Sequence, residues 1–196
     1  MDSFNLLAQP LWVNLFIFTP FILFAAWRKN KLIITKNTLL LTGLFGIAFG
    51  FIEAACVIYL RASIGFLPGY EGTLLDVQKQ AFDFFYNQQV AAKALPLSLL
   101  TVELMREGFT MIILLLIALV ATQKLKERFA VFIWVFAFWD IFYYVFLFLT
   151  VRWPQSLTTP DVLFLIPEPW ISQVWFPILI SSLTILAVFA SIKKTK

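Results

Sequence analysis

Five apolar runs, at residues 11–27, 38–60, 97–121, 129–151 and 174–192, take up most of this 196-residue chain. A helix needs about 20 apolar residues to cross a hydrocarbon layer of about 30 Å, and each run is near that length. Apolar residues make up 61% of the chain and charged residues 13%, against roughly a quarter charged in a soluble domain. One water-facing domain could not hide so much apolar surface, so the excess must face lipid. The expected fold class is all-α: an integral membrane bundle of five transmembrane helices, forming a single membrane domain over residues 1–196.

The formal charge of +4 does not point to nucleic acid, because the basic residues cluster at the ends of the apolar runs. Ten of the fifteen fall after the first run, after the third and at the C-terminus. Basic residues stay cytoplasmic, which predicts an outside N-terminus and a cytoplasmic C-terminus. Trp12, Trp27, Trp153, Trp170 and Trp175 are expected at membrane–water interfaces, where an amphipathic ring is best placed. The first run lacks a basic start and is followed by bulky and charged residues, so it reads as a span and not as a cleaved leader.

Two segments then fall outside. In the first, Thr73-Leu-Leu-Asp76 matches a capping box and opens an interfacial helix over about residues 74–90. The second, residues 154–173, carries Asp161, Glu168 and Trp170. It is too short to span and too apolar to float in water, which predicts an apolar lid or re-entrant turn.

Charges inside the spans carry the functional information. Asp140 falls near the midplane of the fourth run, and Glu53 roughly 8 Å below the outer surface on the second. Glu103, Arg106 and Glu107 lie on the third, in the same outer half, and Tyr143 and Tyr144 rise from Asp140 towards the outside. Each charge costs about 2.5–3.5 kcal/mol at a helix centre, so all should face protein. Gly46-x-x-x-Gly50-x-x-x-Ala54 supplies a small-residue packing face beside Glu53. Four carboxylates against one guanidinium require either that carboxyls hold protons or that a cation joins them.

Three readings follow. The cluster binds a cation, proton or cationic group; it serves a lipid-modifying enzyme open to the outer leaflet; or it only locks helices together, with Arg106 neutralised by Glu103 and Glu107 and Asp140 bonded to a tyrosine. Oxygen-only ligands would favour a hard cation such as Mg²⁺, Ca²⁺ or Mn²⁺. The chain has no histidine, which removes histidine-based zinc and di-iron sites and a Ser-His-Asp triad. Elsewhere, Cys56 is expected as a small buried residue, Pro20 and Pro177 as kinks, Asn14 at the depth of the acids, and Ser181 and Ser182 as packing residues.

Phe138-Trp-Asp-Ile-Phe-Tyr-Tyr144, Trp153-Pro-Gln-Ser-Leu157 and Asp161-Val-Leu-Phe-Leu-Ile-Pro-Glu-Pro-Trp170 together resemble a group of small bacterial multi-pass inner-membrane proteins. Glu103-Leu-Met-Arg-Glu107 is similar to theirs too, and the likeness covers about residues 100–180. That group carries no assigned activity, so the resemblance implies a bacterial inner membrane and no mechanism. The leading expectation is a carboxylate-rich polar site in the outer half, binding a cation, proton or cationic group. A lipid-modifying enzyme and an accessory subunit are the alternatives. The expected partners are the lipid bilayer and either further copies of the chain or a larger membrane complex.

Overall fold

The computed structural model describes residues 6–63 and 97–193. A 3₁₀ stretch, Leu11–Phe18, runs into α1 (Thr19–Lys29), followed by α2 (Lys36–Ser63), α3 (Leu97–Ala121) and α4 (Leu125–Val151). Strands β1 (Pro160–Phe164) and β2 (Trp170–Gln173) precede α5 (Trp175–Ser191). The stretches Leu11–Lys29, Lys36–Leu60, Ser98–Ala121 and Leu125–Val151 are each long and apolar enough to cross a membrane. α5 is apolar but has 17 residues, a length of about 26 Å. The interfacial helix expected near residues 74–90 lies outside the described residues.

Local chemistry sets several boundaries. Thr35 caps α2, its hydroxyl accepting the Thr38 N–H at 3.0 Å. α4 ends where Arg152 turns left-handed (φ 58°) and donates its N–H to Phe148, just before Trp153-Pro154. Pro20 falls where the 3₁₀ stretch gives way to α1, and Pro177 lies in the first turn of α5, where a proline ring fits.

α4 is the central helix, packed on α2, α3 and α5, and α1 leans on α5. The α2–α4 contact is backbone to backbone. A Cβ on Gly46 would lie 2.8 Å from the Val135 carbonyl oxygen, and one on Gly50 would lie 3.0 Å from that of Trp139. Trp134 adds an indole hydrogen bond to the Leu39 carbonyl at 3.0 Å.

Sidedness is the reverse of a water-soluble bundle. Leu15, Phe21, Leu41, Phe51, Phe109, Leu116 and Phe189 are exposed, whereas Thr42, Glu53, Glu107, Thr110, Asp140, Ser181 and Thr184 are buried. Cys56 is exposed and not buried. Trp27 and Trp153 sit inside the fold, where their rings fill core space.

Segment 154–173, expected as an apolar lid or re-entrant turn, holds an antiparallel hairpin, with Asp161 opposite Ser172 and Phe164 opposite Trp170. Gln9 adds two backbone bonds to Ile171, at 2.8 and 2.7 Å, which ties the start of the chain to the hairpin. At the other end of the bundle Leu32 bonds Ser191 and Lys193. The described ends of the chain therefore lie at opposite ends of the bundle.

The glycine contact yields a direct test. Gly46→Ala must push two backbones apart and should cost about 1–3 kcal/mol. A Cβ on Gly108 of α3 would meet nothing within 4 Å, so Gly108→Ala should gain about 0.5–1 kcal/mol from helix propensity. Thermal unfolding in one detergent compares the two, and equal shifts would refute the close contact.

Candidate functional site

A cavity of about 570 Å³ lies under the hairpin. Its floor is α4 and α5, its flanks are α1 with the 3₁₀ stretch on one side and α3 on the other, and Leu163, Phe164, Ile166 and Trp170 roof it. On α4 the lining residues Phe129, Phe132, Phe136 and Asp140 recur at helical spacing and so share one face. The α5 wall is Phe176, Pro177, Ile180, Ser181 and Thr184. Apolar and aromatic side chains dominate.

Two acids interrupt this surface. Asp140 is 7% exposed and accepts the Ser181 hydroxyl proton on Oδ2 at 2.7 Å. That bond joins α4 to α5, in place of the expected tyrosine contact. No donor among the described residues meets its second oxygen, and Asp140 lines the cavity.

Glu107 is committed elsewhere. Its carboxylate accepts the Leu165 N–H at 2.9 and 3.2 Å and the Ile166 N–H at 3.1 Å. These two groups lie in the turn between β1 and β2, so Glu107 clamps the hairpin to α3 and does not neutralise Arg106 as expected.

Arg106 is instead held by Glu53 and Glu103. It bonds Glu103 through Nε at 2.8 Å and Nη2 at 3.0 Å, a bidentate pair, and its Nη1 pairs with Glu53. Thr110 donates to the other Glu53 oxygen. Glu53, Arg106 and Thr110 thereby join α2 to α3, and none of them lines the cavity. The five charges expected in one site are thus divided among three partnerships. No group of three Asp, Glu, Cys or His side chains that could hold a metal ion occurs among the described residues.

The remaining predicted residues fix the hairpin. Tyr144 donates its hydroxyl to Asp161 at 2.7 Å, and Asp161 also accepts the Val162 N–H. Tyr143 stacks near Trp139 at 6.4 Å and meets Tyr144 edge-on at 5.1 Å. Glu168 accepts the Trp12 indole N–H at 3.1 Å. The Trp170 ring sits 4.9 Å from Trp12, 5.3 Å from Phe16 and 5.2 Å from Phe164. Asn14 does not join the acids; it bonds the backbone of Ala8 and Leu11.

Sequence reasoning placed Thr110 on the α3 face that bears Arg106 but missed the cavity itself, Thr184 and the Ser181 contact with Asp140. The phenylalanine stripe leading to Asp140 was readable at helical spacing. Which helix faces it was not. Comparison with protein-family models, curated proteins and solved structures finds no match for this chain.

Replacing Glu107 by Leu strands two backbone N–H groups, at about 1–3 kcal/mol each. Amide exchange over residues 160–173 should accelerate while the centre of α4 stays protected. Glu107→Gln keeps one acceptor and should fall between. Unchanged exchange in Glu107→Leu would show that the clamp does not hold the hairpin.

Proposed function

We propose that this chain is a multi-pass membrane protein that holds the apolar chain of a lipid-like amphiphile in the cavity beneath its hairpin. The observation that carries this reading is an apolar cavity of about 570 Å³ with a single carboxylate oxygen left open to it. Ligand pockets commonly measure about 300–1,000 Å³ and are mostly apolar with a few placed polar groups. Gathered carboxylates and trapped water would suit a hard metal ion; here Glu53, Glu103 and Glu107 are already spoken for.

The membrane setting is supported by the inverted sidedness, with phenylalanines and leucines outside and carboxyls and hydroxyls inside. Arg28, Lys29, Lys31, Lys124, Lys126, Arg128 and Lys193 belong to the end opposite the hairpin. We assign that end to the cytoplasm, which puts the hairpin and the cavity in the outer half. α5 would then be a fifth, slightly short span, accommodated by local thinning of the bilayer.

Reporter fusions at Lys196 and within residues 64–96 should report opposite sides of the membrane, with Lys196 inside. Same-side reporters would overturn the topology.

For the cavity, native mass spectrometry of protein extracted from membranes should find a retained amphiphile. Ile180→Trp, which adds bulk to the cavity wall, should lower its occupancy about tenfold or more while leaving thermal stability near wild type. Equal occupancy in both proteins would place the bound lipid elsewhere and remove the support for this reading.

A further inference from the structure

The charges on the cavity wall restrict which amphiphile fits. Among the described residues, Glu107 and Asp140 are its charged lining residues, both acids, and no described Lys or Arg joins them there. Glu107 is saturated by the Leu165 and Ile166 N–H groups. Asp140 is more than nine-tenths buried, and Ser181 bonds only one of its oxygens. A carboxylate oxygen that faces apolar surroundings without a donor is costly. The Trp170 indole N–H also lacks a partner among the described residues, but its neighbours cover it and it does not face the cavity.

From this geometry, and resting on the reading of the cavity as an amphiphile site, we infer that the ligand carries a hydrogen-bond-donating head without negative charge. The chemical class is a long-chain amine or alcohol, its head on Asp140 and Ser181. An ammonium or hydroxyl proton completes the open Asp140 oxygen. A carboxylate or phosphate head would face two acids and no cation.

The same residues set the ligand's direction. Asp140 lies beneath the hairpin roof, and Phe129 lies eleven residues earlier on the same face of α4, about 16 Å away along the helix axis. The tail therefore runs from Asp140 past Phe136 and Phe132 towards the basic end of the bundle. At about 30 Å³ per small group, the size of a water molecule, the cavity has room for roughly fifteen to twenty carbons.

The test uses the full chain in lipid nanodiscs with three probes of one chain length: dodecylamine, dodecanol and dodecanoate. Binding is read by native mass spectrometry and thermal shift. Amine and alcohol should bind wild type about tenfold or more tighter than the carboxylate, the worth of one hydrogen bond to a charged group. Asp140→Asn should weaken the amine about tenfold and narrow its lead over dodecanoate. Ile180→Trp and, from the opposite wall, Met111→Trp should weaken all three probes.

If all three bind wild type equally, or dodecanoate binds best, and the tryptophan variants still weaken them, the inferred head group is wrong and the cavity reading stands. If the tryptophan variants leave binding unchanged, or no probe binds, both fall together. The wild-type comparison decides the head group even if Asp140→Asn does not fold.

Discussion

Gly46 and Gly50 let the backbones of α2 and α4 touch, and most of the arrangement follows from that contact. Only a residue without a Cβ allows helices this close where a carbonyl oxygen sits 2.8–3.0 Å from the Cβ position. With α2 pressed to one face, α4 turns its Phe129–Phe132–Phe136–Asp140 face away towards the cavity and α5. The same register carries Glu53, one turn beyond Gly50, to the flank of α3 that bears Arg106. A shift in the glycine contact would therefore move the ion pair and the cavity wall together.

Around that pair, several polar groups in apolar segments tie two different elements. Glu53 and Arg106 join α2 to α3, Asp140 and Ser181 join α4 to α5, Glu107 joins α3 to the hairpin, and Tyr144 joins α4 to β1 through Asp161. In surroundings of low dielectric these bonds are hard to exchange for water. In a bilayer, apolar contacts against lipid would discriminate weakly between helix orientations, because lipid tails are as apolar as leucine. The polar ties therefore supply much of the specificity of the packing.

The apolar runs and the charged ends made the helices legible, and the small-residue spacing of Gly46, Gly50 and Ala54 marked the α2 packing face. The partners of the acids were less legible. Arg106 has carboxylates nearby at Glu103 and Glu107 on its own helix and at Glu53 on α2; spacing along α3 favours Glu103, at i,i+3, and says nothing of Glu53. The choice of Glu53 over Glu107 depends on the hairpin, whose two backbone N–H groups draw Glu107 away. That hairpin was hidden because Pro160–Gln173 is short, rich in proline and apolar on both faces. Strand alternation is weak there, and the pairing draws on Gln9, far away in sequence. Tertiary partners of this kind leave no periodic signal.

Asp140 differs from Glu53 and Glu107 for a geometric reason. Glu53 meets a guanidinium and a hydroxyl, and Glu107 meets two amides, so each has donors for both oxygens. Asp140 faces α5, from which only the Ser181 hydroxyl, among the described residues, is bonded to it. The 3₁₀ stretch and α1 lean on α5 and flank the opening instead of filling it, since Val13, Phe16 and Leu23 end on the cavity wall. A side chain from α1 reaching Asp140 would have closed the last acceptor and the cavity together. The open oxygen and the apolar space are thus two consequences of one packing arrangement, which is why a ligand that fills the space is also the one placed to complete the bond.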